Sequence, residues 1–170
     1  GDQGRVFPLH SGSTSLIENL IITGGDGGGV GDGGGGILIQ NATTSATISN
    51  CIITGNAVPD HDGGGIRILD ADATIVNCTI SNNNSNFGGG IECRGGSPTI
   101  SNCTISGNTT NGGGGIRCDN STPTIVDCVI DGNHANQLGG GILCRGNATI
   151  SGCTITNNDA QDGAGIIVYL

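Results

Sequence analysis

The stretch Gly114–Asn133 reads GGIRCDNSTPTIVDCVIDGN, and Gly89–Asn108 has already read GGIECRGGSPTISNCTISGN. The two copies lie 25 residues apart and agree at Ile91/Ile116, Cys93/Cys118, Ile100/Ile125, Cys103/Cys128 and Ile105/Ile130. Working outward, one column runs Ile17, Ile48, Ile75, Ile100, Ile125 and Ile150. A second runs Ile37, Ile66, Ile91, Ile116, Ile142 and Ile166, and a third Leu20, Cys51, Cys78, Cys103, Cys128 and Cys153. Self-similarity at such a period marks a stack of units, none of which buries its apolar side alone.

Each copy holds three short apolar pieces, such as GGIRC, PTIV and CVI, rich in Ile, Val, Thr and Cys. They alternate in period two between Gly, Asn, Asp and Ser, which is strand chemistry with turn punctuation; no segment has a helical period. The pattern predicts an all-β, parallel β-helix of three strands per coil, about 25 residues per coil and about six coils. Right-handed winding is expected by analogy with other crossover connections.

Ile100 and Cys103 should both face inward yet are three apart, so Asn102 must occupy a bend. Its column is Asn19, Asn50, Asn77, Asn102, Asp127 and Gly152, residue types that tolerate left-handed backbone best. A second column, Asn56, Asn83, Asn108, Asn133 and Asn158 with Gly25, is read as a hydrogen-bonded ladder. The glycine runs Gly63–Gly65, Gly88–Gly90 and Gly112–Gly115 each open a strand, not a helix, and so mark close backbone approach rather than a phosphate cradle.

One domain over residues 1–170 is expected. Phe7, Phe87 and Tyr169 are the only aromatic residues, which suits a narrow solenoid interior. The net charge of −9, with no Lys, disfavours nucleic acid and anionic membranes as partners. No apolar run is long enough to span a bilayer. The eight cysteines fall in two inward columns, the one above and Cys93, Cys118 and Cys144. Ile39, Ile68 and Val168 stand in for cysteine in the second, which fits buried thiols acting as small hydrophobes. The rival reading pairs Cys93 with Cys103, Cys118 with Cys128 and Cys144 with Cys153 as same-coil disulfides. No C-x-x-C or Cys/His cluster points to a metal.

The strand after each glycine run carries Arg67, Glu92 and Arg117 at one outward position and Arg94, Asp119 and Arg145 at the next. Their alternating signs predict a salt-bridged solvent face that fixes register. The sharper alternative is a polysaccharide cleft of a lyase or hydrolase, with Arg as base or carboxylate clamp. Thr47, Thr74, Thr99, Thr124 and Thr149 form an outward array that could bind ice, although Thr is also simply a favoured strand residue. Asp26, Asp32, Asp60 and Asp62 are weak calcium candidates, and no other cofactor is expected. His10, His61 and His134 are read as solvated loop residues. Among the N-x-S/T sequons, Asn41, Asn108 and Asn120 are the preferred glycan acceptors.

With TISNCTISGN and GGGI in view, the chain resembles bacterial secreted right-handed parallel β-helix repeat proteins. It is also similar to the repeat region of polymorphic outer-membrane adhesins, whose GGA[ILV] motif is close to GAGI at Gly163–Ile166; the FxxN partner motif is missing. The resemblance implies an extracellular or cell-surface, structural and non-catalytic module, adhesin-like or fibre-forming. The apolar end strands GRVFPL and GIIVYL suggest a segment of a longer solenoid or a subunit that stacks end to end. A carbohydrate or ice surface is the other expected partner.

Overall fold

A computed structural model of the chain describes residues 7–9, 14–27, 33–41 and 45–169. Its strands wind into about five parallel turns. One turn runs Ile91–Arg94, Thr99–Ser101, Thr104–Ser106 and Thr109–Gly112. Each strand pairs in parallel with its equivalents in the turns above and below. Among the described residues this builds four sheets of seven, six, six and five strands, numbered here in the order the chain visits them within a turn. The expected three strands per turn are present, and a fourth follows them. It was invisible in the hydrophobic pattern because it turns only one small side chain inward per turn: Val58, Ser85, Thr110, Ala135.

Register is residue on residue, as the columns required. Ile91 pairs with Ile66 and Ile116, Ile100 with Ile75 and Ile125, and Ile105 with Ile80 and Ile130. These isoleucines are fully buried and fill one continuous core with both cysteine columns. Between the second and third sheets the chain bends through left-handed backbone at Asn50 (φ 52°), Asn77 (55°), Asn102 (52°), Asp127 (52°) and Gly152 (65°). That single extra residue restores the alternation and keeps Ile and Cys on the same side.

The third corner holds the asparagine ladder. The Asn108 amide nitrogen donates to Ile80 O at 3.0 Å and Asn133 Oδ1 at 2.9 Å, and its backbone N–H donates to Asn133 Oδ1 at 3.1 Å. Its own Oδ1 accepts from Asn83 backbone and side chain at 3.0 and 3.1 Å. The same bonds recur from Asn56 to Asn158, so a bend that would orphan buried amides satisfies all of them.

The glycine runs pack backbone on backbone. A Cβ on Gly64 would stand 2.5 Å from Gly89 O, and one on Gly89 would stand 2.7 Å from Gly114 O. The first glycine of each run also folds back over the strand it introduces: a Cβ on Gly88 would lie 2.8 Å from the Glu92 Cβ. The outward side of the first sheet is therefore partly roofed by its own chain.

Candidate functional site

The roof changes the character of the charged column. Arg67, Glu92 and Arg117, expected on a solvent face, are buried, and Glu92 is wholly enclosed. Phe87, in the segment between the fourth and first sheets, lies over this column, with the Arg117 guanidinium 4.4 Å from its ring centre. Glu92 Oε2 is 2.7 Å from Arg67 Nε, and Glu92 Oε1 is 3.1 Å from an Arg117 terminal nitrogen. Asp119 accepts from Arg117 at 2.9 Å, and Asp62 lies 3.4 Å from Arg67 and 3.8 Å from Arg117. Burial drives the Glu92 carboxyl up to about 7, against the pull of Arg67, with Asp62 adding to the rise and Arg117 opposing it. Flanking positions of the same column carry Leu38 and Leu143, also fully buried, so this is a second core, charged at its centre and apolar at both ends.

The next outward column keeps its register, with Asp119 opposite Arg94 and Arg145. Asp119, however, forms its ion pair with Arg117 rather than with either of them. Arg94 and Arg145 are exposed, and the Arg145 guanidinium lies 5.6 Å from the Tyr169 ring centre.

The fourth sheet presents an open polar surface. Asn84, Thr109, His134 and Asp159 stack in register along it. Beside them Asn136 donates to Asn111 Oδ1 at 2.9 Å, and Asn111 donates to Asn86 Oδ1 at 2.8 Å. His134 lies on a strand, not in a loop. Its Nδ1 is 2.9 Å from Asp159 Oδ2, and its Nε2 is 3.2 Å from Asn136 Oδ1. Asn84, Ser85, Thr109, Asn111, His134 and Asn136 line a shallow groove of about 300 Å³. This surface was missed in the sequence, although Asn86, Asn111 and Asn136 stand 25 residues apart and signal a third asparagine column.

With four parallel sheets and the core columns in place, the family can be identified. Residues 9–170 match the family described as right handed beta helix region. The chain belongs to that family. No curated protein matches this β-helix, and no solved structure does. The family covers both structural proteins and pectate-lyase-like enzymes, so membership assigns the right-handed winding but no reaction.

The other expected sites of the β-helix divide. Thr47, Thr74, Thr99, Thr124 and Thr149 are consecutive register partners on the second sheet, Thr47 and Thr99 being half-buried. All eight cysteines are free thiols, so Cys93, Cys118 and Cys144 are unbonded to Cys103, Cys128 and Cys153. Asn108 is spent in the ladder and fully buried, which closes it to a glycan; Asn41 and Asn120 are exposed. Asp26 and Asp60 are exposed, Asp62 serves the arginines, and Asp32 lies outside the described residues, as does His10. Among the described residues no group of three or more His, Cys, Asp or Glu is gathered for a metal, and no helix is long and apolar enough to cross a membrane.

Proposed function

We infer that the chain is a structural, non-catalytic β-helix module of an extracellular or cell-surface protein, and that it contacts neutral glycans through the groove on its fourth sheet. The observation that carries this reading is the outer ladder Asn86–Asn111–Asn136. An amide has two N–H donors and two carbonyl lone pairs, and the ladder bonds use only one of each. Asn111 and Asn136 of this ladder line the groove, an arrangement suited to the mixed donor and acceptor demand of sugar hydroxyls. His134, held by Asp159 and Asn136, adds a fixed polar edge. The location rests on the resemblance of the repeats to secreted β-helix proteins.

Affinity electrophoresis in gels containing neutral or acidic polysaccharides tests the reading. Retardation by a neutral polymer, weakened about fivefold in Asn111→Ala as for one lost hydrogen bond, supports it. Unretarded migration in every gel overturns it, as does the appearance of unsaturated-product absorbance with a polyuronate, which would assign a lyase.

A second reading, ice binding, is favoured by the in-register threonines of the second sheet. Faceted ice crystals in a nanolitre osmometer, lost in Thr99→Tyr and Thr124→Tyr, support it; unshaped growth with the unaltered chain rejects it.

A further inference from the structure

The column Cys51, Cys78, Cys103, Cys128 and Cys153 repeats its geometry turn after turn. Each Sγ donates to the carbonyl of an isoleucine one turn earlier at 3.6–3.7 Å: Ile17, Ile48, Ile75, Ile100 and Ile125. Each also lies 3.2–3.3 Å from the carbonyl two residues before it. Identical partners at identical distances mean identical rotamers. The sulfurs therefore recur at the spacing of the turns themselves, about 4.8 Å.

That spacing matches a particular coordination chemistry. A closed-shell d10 cation forms bonds of about 2.3 Å to thiolate sulfur. Two such bonds in line span about 4.6 Å, the separation of vertical neighbours. A disulfide needs sulfurs about 2 Å apart, so the column would have to distort to form one. Zinc wants four ligands in a tetrahedron, and the column offers two on a line. Thiolate sulfur selects soft ions such as copper(I). The geometry points to a binding site for a soft monovalent d10 cation, held in linear two-sulfur coordination between adjacent cysteines of this column.

Binding balances as M⁺ + 2 RSH → RS–M–S(H)R + H⁺. The ion replaces one proton, so the site stays uncharged in an apolar interior, where an uncompensated ion would be costly. The second thiol keeps its proton on the isoleucine carbonyl and gives a lone pair to the metal. A sulfur already holding one ion in line is badly placed for another on its far side. The five thiols therefore take two ions, one per adjacent pair.

The test is silver(I) titration of the full reduced chain without oxygen, with desalting and metal analysis, alongside Cys103→Val and Cys78→Val/Cys128→Val. Cys103→Val leaves the pairs Cys51–Cys78 and Cys128–Cys153 and is expected to bind as much silver as the unaltered chain. Cys78→Val/Cys128→Val leaves three thiols with no adjacent pair and is expected to lose two ions. X-ray absorption on the unaltered chain is expected to report two sulfurs and no lighter ligand. Losses that follow the number of thiols removed, a third ligand in the shell, or uptake only after denaturation would each overturn the proposal. Should the double variant fail to fold, the Cys103→Val stoichiometry and the coordination number still decide it.

Discussion

The interior of the coil and the roofed outer face of its first sheet both exclude water, by different means. Inside, most rungs repeat the last: isoleucine on isoleucine, thiol on thiol, asparagine on asparagine. Under the roof no residue repeats in adjacent turns through the charged centre: Arg67, Glu92 and Arg117 each meet a different charge. Periodic stacking stabilises a coil without saying which turn lies above which, since any turn fits on any other. The charged column has a defined order, and Glu92 is satisfied only between its two arginines. The repeats thus supply most of the stability, and this unrepeated column supplies register.

The contrast breaks most sharply at Glu92. Glu92→Ala leaves two buried guanidiniums facing each other, and urea unfolding is expected to show a loss of about 3–5 kcal/mol. On the periodic side, Asn108→Ala removes the acceptor for the Asn83 backbone and amide. That variant should cost about 1–3 kcal/mol for the buried groups left unpaired, and distinctly less when the half-buried rung Asn158 is cut instead.

Acidity separates the two regions as well. The folded Glu92 carboxyl holds its proton up to about 7, against 4.5 for an ordinary one. The folded state therefore binds more protons than the unfolded chain across that window, and this residue's contribution falls as pH rises through it, by up to about 1.4 kcal/mol per pH unit. Unfolding curves at pH 4.5 and 7.5 should carry this slope, and Glu92→Gln should flatten it. The smallest effect is expected at Cys118→Val. The column already holds Ile39 and Ile68 in the same register, so denaturant midpoints should move by no more than about 1.5 kcal/mol.

Much of this was legible in the residues. The columns of Ile, Cys and Asn predict register directly, because parallel stacking places like on like. The left-handed bend at Asn102 followed from counting: an inward pair three apart needs one residue out of line. Two features were not legible. The fourth strand contributes one small inward side chain per turn, too short a pattern to stand out. The burial of Glu92 depends on Phe87 and on glycines that arch back over the sheet, and alternation reports only which side of a strand a residue faces. Alternation alone equates outward with solvent, whereas the outward side of one sheet has a cover of its own. The groove on the fourth sheet was lost for the first reason, since its asparagines sit on the strand that went unseen.

The fourth sheet slips register between Ala135 and Leu138, where His134–Leu138 runs longer than the strand before it. Ile142 consequently follows Ile116 by 26 residues and precedes Ile166 by 24, while Ile125 and Ile150 keep their 25. The surplus is absorbed at one vertex and repaid at the next, so the winding keeps its phase. Each vertex is thus a separate reservoir of chain length. A lineage could extend one into a long excursion, and so acquire a new recognition element, without retuning any neighbouring turn.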